Sequence, residues 1–294
     1  MAMERALLAH AKVNLFLDIL GRREDGYHEI SSLMVNVSLA DEVAVEPLSE
    51  GRVEVEWEGP SPAPSPNLCE VAVKAFREKF GWPSGARVRV RKRIPMAAGL
   101  GGGSADAAAV LLGLASSAPF RPSREALLKV AARVGADVPF FVVGGAALCE
   151  GIGERIRPLR PVEYWLVLCG PGFEISAKEA YGLWDEHPCR LGISPEGAVR
   201  AFEGGDPKEL APWLRNAFLP VISRKFPEVR GLIDLVVRAG ALGATLTGSG
   251  PAVVGLARDR CHAEEVCRRL KGSASWAVVA RTVPRGVGPM GESF

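Results

Sequence analysis

The stretch Pro95–Ala109 reads PMAAGLGGGSADAAA, four glycines within five residues running into a small-residue helix read as beginning at Ser104. Gly99, Gly101, Gly102 and Gly103 permit positive φ and let backbone N–H groups approach an anion with no Cβ in the way. The following helix adds unpaired amides and the positive end of its dipole. Ser104 is placed to act as N-cap or as a hydroxyl ligand to a phosphate oxygen, and the alanines after it keep the first turns slim. The stretch reads as a phosphate cradle; the plainer alternative is a flexible glycine turn between strand and helix. No Gly-Lys-Ser or Gly-Lys-Thr occurs in the chain, which excludes a Walker A loop. The last glycine of a dinucleotide fingerprint would fall on Ser104, and no apolar βαβ strand precedes the loop, which excludes that motif too.

Working outward, 294 residues with 48% hydrophobic content can bury a full core in two domains or one large one. A formal charge of +2 argues against a nucleic-acid packager or a membrane-surface protein. The six cysteines are scattered, with no C-x-x-C and no histidine at ligand spacing, and read as reduced thiols. The opening MAMERALLAHAKVNLFLDIL has an early acidic residue, no small-residue cleavage site and no long apolar run. The expectation is a cytoplasmic enzyme.

Residues 6–18 and 27–39 read as strands around the charged turn GRREDG. The alternation over 41–58 predicts half-buried antiparallel strands. GPSPAPSP at 59–66 reads as a surface loop and 67–80 as an amphipathic helix. In ARVRVRKRI, Arg87, Arg89, Arg91 and Arg93 share one face of a strand, as a solvated sheet face or an attractor of polyanions. Helices are expected at 104–117 and 123–134. RPLRP at 157–161 interrupts the pattern and marks a boundary between domains 1–160 and 161–294. The second half reads as strands at 162–169, 242–247, 251–257 and 275–282, with helices between 176 and 239 and at 260–271. The class is α+β, each half an antiparallel or mixed sheet with helices on one face.

Three further stretches carry polar residues that the fold does not require. Lys12 and Asn14 in AKVN share one strand face, either exposed or functional. Asp137 in GADVPFF suits an N-cap, a turn or a catalytic carboxylate. LTGSGP at 246–251 is a second glycine turn between strands, in form a hairpin loop.

Together these four motifs, in this order, resemble the GHMP small-molecule kinases, over roughly residues 11–255. Within that family KVNLFLDILGRREDGYHEI is similar to members acting on cytidine-diphosphate-linked methylerythritol. The resemblance implies two domains with the active site in the cleft between them, ATP and Mg²⁺ as cofactors, and phosphorylation of a small-molecule alcohol. It implies that Lys12 and Asp137 meet at the acceptor hydroxyl, with Asp137 taking or orienting its proton and Lys12 balancing charge. Asn67, Pro95, Gly99, Gly101, Gly102, Gly103 and Ser104 would hold ATP, Asn67 near the adenine. Asn14 would bond the methylerythritol, Tyr27 and His28 would receive the cytidine with Tyr181 across the base, and Thr247, Gly248 and Ser249 would close on phosphates or substrate. The chain departs from the pattern at Ala105, where many members carry a second serine, and at Asp106, where they often carry Asn. A carboxylate at 106 suits the helix dipole but repels phosphate unless Mg²⁺ intervenes. Metal ligands and oligomeric state are not implied. Two other readings are a GHMP kinase of the homoserine or mevalonate type, which would not need Tyr27, His28 and Tyr181, and a non-catalytic RNA-binding α+β protein using the arginine row.

Overall fold

The computed structural model describes residues 5–60 and 62–291. Residue 61 of the proline-rich loop and residues 1–4 of the opening stretch lie outside the described residues. The chain opens with β1 (Arg5–Arg22), β2 (His28–Leu48) and β3 (Val53–Glu58), then α1 (Leu68–Phe80) and β4 (Gly85–Arg91). The glycine loop leads into α2 (Gly102–Ser117), α3 (Arg124–Val134), α4 (Val138–Val143), and the hairpin β5 (Ala146–Gly151) and β6 (Arg155–Leu159). There follow β7 (Trp165–Gly170), α5 (Ala177–Glu186), α6 (Pro195–Gly204), α7 (Pro207–Leu210), β8 (Arg215–Asn216), α8 (Leu219–Lys225) and α9 (Pro227–Arg238). β9 (Gly243–Leu246), β10 (Val253–Ala257), α10 (Arg260–Arg269), β11 (Trp276–Arg281) and β12 (Val287–Pro289) complete it.

Among the described residues the first sheet follows the order β12-β1-β2-β4-β3, with β5 and β6 continuing from the first part of β2 and β8 lying beside β1. β1 and β2 are long enough to serve both ends: β2 pairs β5 through residues 30–35 and β4 through residues 42–48. The second sheet is antiparallel throughout, in the order β11-β7-β10-β9. Strand alternation decides its two faces. Leu166, Leu168, Val254 and Leu256 pack toward Val13, Leu15, Val35 and Val37 of the first sheet, while Val167, Cys169 and Val253 meet the helices α8, α9 and α10. On the far side of the first sheet, Val43, Val45, Val88 and Val90 are covered by α1 to α4. The two sheets therefore share a continuous apolar layer.

Two local expectations need correcting. β3 runs parallel to β4, with Val55 opposite Val88, because α1 crosses over between them and a crossover returns the chain in the same direction. RPLRP is partly strand: Pro158 sits in β6 opposite Ala147, tolerated because β6 is an edge. The chain then leaves the first sheet for the second between Leu159 and Trp165. After Thr282 the chain returns to the first sheet, where β12 pairs antiparallel with β1, Leu8 opposite Gly288.

Candidate active site

The loop between β4 and α2 turns through three left-handed residues, Ala97 (φ 45°), Gly99 (φ 79°) and Gly101 (φ 70°). Gly99 is required twice over, since a Cβ there would stand 2.2 Å from the Thr247 carbonyl oxygen. Helix α2 begins at Gly102 with Gly101 as N-cap, so Ser104 lies inside the first turn and is not the cap. A glycine in the left-handed region makes the turn by itself and needs no capping hydroxyl. The first helical bond runs from Ala105 N to Gly101 O (2.9 Å), so helix geometry leaves the amides of Gly102, Gly103 and Ser104 without intrahelical acceptors.

Lys12 and Asn14 project from β1 under this loop. Lys12 Nζ donates to Asn14 Oδ1 (2.7 Å) and lies 3.6 Å from Asp137 Oδ2. The Lys12 backbone N–H donates to Leu100 O (3.0 Å), fastening the loop to the strand. Asn14 Oδ1 also accepts from Gly248 N (3.0 Å), its Nδ2 donates to Ser32 Oγ (2.7 Å), and its backbone N–H donates to Thr247 Oγ1 (3.0 Å). Asn14 therefore ties β1 to β2 and to the second glycine turn, with one amide hydrogen left for a ligand. Asn216 holds that turn from behind, donating to Leu246 O (2.8 Å) and Gly248 O (2.9 Å). The two glycine turns touch: a Cβ on Gly248 would lie 2.7 Å from Gly99 O.

Asp137 occupies the N-cap position of α4, but its side chain makes no capping bond. One-third exposed, it faces a cavity of about 300 Å³ whose lining includes Lys12, Asn14, Gly99, Gly101, Ser104, Tyr181, Gly248 and Ser249. Its charge is felt nearby. Burial pushes the Cys149 thiol up to about 12, and Asp137 adds to the rise while Lys12 opposes it. Burial likewise raises the Tyr181 phenol, with Asp137 contributing. Of the other residues expected to hold ATP, Asn67 caps α1, accepting from Cys69 N (2.9 Å), and its Nδ2 is buried without a partner. Pro95, Asn67, Gly102, Gly103 and Thr247 are not part of this cavity's lining, although Leu68 beside Asn67 reaches within 3.7 Å of a Cβ position on Gly103.

A second cavity of about 590 Å³ adjoins the first, with Ala136, Ile152 and Tyr181 common to both. Its walls include Tyr27, His28, Arg22 and Lys178. Tyr27 is 58% exposed, whereas His28 is buried. Tyr181 stacks on His28 itself, with centroids 4.3 Å apart and planes 22° apart, so these two rings do not bracket a base between them. Helical spacing on α5 puts Tyr181, Trp184 and Asp185 on one side, all touching His28. Trp184 meets its edge at 5.6 Å, and Asp185 Oδ1 lies 2.6 Å from Nε2. A carboxylate at Nε2 calls for an N–H there, and in the tautomer protonated only at Nε2 the Nδ1 atom is an acceptor.

Sequence reading missed Asp185, Asn216, Ser32, and a buried ionic group behind the glycine loop. There Lys92 Nζ donates to Asp106 Oδ2 (2.7 Å) and to Asp41 Oδ2, all three side chains sealed from solvent. A signal for Lys92 existed: in the alternation Val88, Val90, Lys92, Ile94 it falls on the apolar face. The arginine row on the opposite face is spent on glutamates, Arg87 on Glu46 (3.2 Å) and Glu54 (2.9 Å), and Arg91 on Glu58 (3.3 Å).

Comparison with known proteins agrees with this geometry. The model described as GHMP kinases N terminal domain matches residues 67–145, and GHMP kinases C terminal matches residues 198–274. The molecule is thus a small-molecule kinase of the GHMP type. The chain is 40% identical over 282 residues to a 4-diphosphocytidyl-2-C-methyl-D-erythritol kinase of Pelotomaculum thermopropionicum, covering 94% of this chain and 96% of the relative. It is 42% identical over 281 residues to the enzyme of the same name from Symbiobacterium thermophilum, covering 93% and 98%. A crystal structure of 4-(cytidine 5'-diphospho)-2C-methyl-D-erythritol kinase superposes with a TM-score of 0.79 at 36% identity, covering 95% of this chain and 99% of that one. The chain belongs to the 4-diphosphocytidyl-2-C-methyl-D-erythritol kinase family.

Proposed function

We propose that this chain transfers the γ-phosphoryl group of ATP to the 2-hydroxyl of 4-diphosphocytidyl-2-C-methyl-D-erythritol, a step in making isoprenoid precursors by the non-mevalonate route. The observation that carries this reading is the continuity of the two cavities: the Lys12–Asp137 pair lies in one, the His28 pocket in the other, and Tyr181 borders both. A long acceptor with a base at one end and a hydroxyl at the other needs such a pair of chambers.

The residues fit the nucleotide. Cβ atoms on Gly99, Gly101 or Gly102 would fall within 3.1 Å of neighbouring protein atoms, so only glycine lets the loop pack in this course, and the free amides at the start of α2 suit a phosphate. ATP supplies the phosphoryl group and ADP as leaving group. Among the described residues no cluster of three or more carboxylates, histidines or cysteines could hold a metal. Mg²⁺ would be held largely through phosphate oxygens and water, with Asp137 and Ser104 in the cavity lining as protein oxygens that could serve it.

In the transfer Asp137 accepts or orients the proton of the acceptor hydroxyl, whose oxygen forms the new P–O bond as the bond to the β-phosphate oxygen breaks. Lys12, within reach of both Asp137 and Asn14, balances charge on the moving group. Asn14 and the 247–249 turn shape the acceptor end. His28 Nδ1 is the acceptor that suits the exocyclic amine of cytosine, and Tyr27 is the ring free to stack on the base. No helix among the described residues is long and apolar enough to cross a membrane. Six free cysteines suit the reducing cytoplasm.

ADP release with Mg-ATP, measured against 4-diphosphocytidyl-2-C-methyl-D-erythritol, free methylerythritol, homoserine and mevalonate, tests the proposal. Turnover with the cytidine-linked acceptor alone is expected. Turnover with homoserine or mevalonate instead would overturn the acceptor and the base pocket together.

A further inference from the structure

Asp41, Lys92 and Asp106 come from three separate elements and meet in the dry interior behind the glycine loop. Asp41 on β2 accepts through Oδ1 from the backbone N–H groups of Arg93 (2.6 Å) and Ile94 (2.8 Å), the two residues that lead into Pro95. Its other oxygen accepts from Lys92 Nζ. The same ammonium reaches Asp106, just over one turn into α2, at 2.7 Å. A Cβ on Gly102 would lie 3.1 Å from Lys92 Nζ, so the ammonium sits directly under the start of the helix. One ionic group thereby grips both the entry and the exit of the loop. None of its three side chains borders the cavity that holds Lys12 and Asp137.

We propose that Lys92, clasped between Asp41 and Asp106, is the positioning residue of the nucleotide loop, fixing where its amides stand when ATP binds. The inference rests on the kinase reading above. A loop that passes through glycines at 99 and 101–103 has little stiffness of its own and would lose much conformational freedom on ordering around a phosphate. Pinning both ends removes part of that cost before the nucleotide arrives. Stability alone does not explain the arrangement, since apolar side chains of similar volume serve a core at least as well as a buried ionic group. What the ions add is direction: two backbone amides and one helix start held at hydrogen-bond distance. Asp106 also gains its role here, as a counter-ion to Lys92 and not as a phosphate or Mg²⁺ ligand.

Calorimetric binding of Mg-ATP to the full chain, without acceptor, tests the proposal. Lys92→Met should raise the Kd for Mg-ATP by about tenfold or more while the KM for acceptor stays within about twofold, the pattern of a misplaced nucleotide loop. Hydrogen exchange at the amides of residues 99–103 should quicken in the same variant. Adding Asp106→Asn to Lys92→Met leaves one uncompensated carboxylate where there were two, and should recover about threefold of the affinity. Should Lys92→Met fail to fold, Lys92→Gln keeps hydrogen bonds to both carboxylates and should still weaken Mg-ATP by about threefold. Arg87→Gln, on the outer face of the same strand, is the control. Unchanged Mg-ATP affinity and unchanged exchange in a folded Lys92→Met or Lys92→Gln protein would overturn the proposal. Wild-type protein that binds Mg-ATP but phosphorylates none of the four acceptors would overturn the acceptor assignment alone; wild-type protein that binds no Mg-ATP would overturn both.

Discussion

Two lysine–aspartate groupings flank the same glycine loop and are built in opposite ways. In front, Lys12 and Asp137 stand 3.6 Å apart, and the carboxylate is 33% exposed to a cavity. Behind, Lys92 and Asp106 close to 2.7 Å with side chains 3% and 1% exposed. The front carboxylate makes no capping bond and stays available to a ligand, whereas Asp41 and Lys92 behind spend their charge on the protein itself. Identical residue types thus suit different work: a loosely held pair open to a chamber can exchange a proton with something that enters, and a sealed one can only hold parts in place. The difference lies in access, and access is set by where each strand carries its residue.

The sharpest way to break this contrast is Asp137→Asn. It should lower kcat by about 10²–10⁴-fold, the usual contribution of a positioned acid or base, and leave Mg-ATP affinity within about threefold. Loss of nucleotide affinity with turnover preserved would place Asp137 with the sealed group and dissolve the distinction. A smaller effect is expected where the front meets the loop itself. At Gly99, with φ 79° and 2.2 Å between a Cβ and Thr247 O, alanine must push the two glycine turns apart. Gly99→Ala should raise KM for both ATP and acceptor by about tenfold, because both are shaped by that contact. A rise confined to ATP would show that the 247–250 turn does not depend on the loop for its position.

Much of this arrangement was legible from the residues. The family resemblance carried by the four ordered motifs is what implied that Lys12, Asn14, Asp137 and the 248–249 turn share one site, and the structure places them around one cavity. Two kinds of information were not legible. Parallel pairing of β3 and β4 leaves the same alternation as antiparallel pairing, because period-2 burial reports faces and not direction. Side-chain partners across long separations, such as Asp185 on His28 or Asn216 on Gly248, depend on packing that no local pattern encodes. Lys92 is intermediate. A lysine in register with Val88, Val90 and Ile94 is visible as an anomaly, but its partners Asp41 and Asp106 lie 51 and 14 residues away in sequence, a pairing that no local pattern encodes. Of the two roles open to Ser104, cap or phosphate ligand, the first is taken by a left-handed glycine at 101, which makes the turn without a hydroxyl.

A further expected effect, read in stability and not in turnover, distinguishes the two groupings by pH. Two carboxylates and one ammonium in a dry site leave one negative charge in excess, and Asp106 Oδ1 has no hydrogen-bond partner. Burial lifts the Asp106 carboxyl to about 7, against the pull of Lys92 and with the help of Asp41. Burial alone would lower the Lys92 ammonium, but Asp106 and Asp41 more than offset it and hold it above its ordinary value, so the proton that comes and goes belongs to the carboxylate. The remaining neighbour of note is the buried Cys69 thiol on α1, itself raised by burial and by Asp106, and so neutral throughout this range. A carboxyl whose pKa is higher in the folded than in the unfolded chain binds a proton that the unfolded chain has already released. Its contribution to stability is therefore complete below about pH 4 and is lost as pH rises to about 7, at no more than about 1.4 kcal/mol per pH unit. Urea denaturation of wild type and Asp106→Asn across pH 4–8 isolates this proton, because all other titrations cancel in the difference. The variant should gain on wild type steadily up to about pH 7 and run parallel to it above. A difference independent of pH would mean that Asp106 stays ionised throughout, and that the sealed group tolerates its excess charge much as the open pair does.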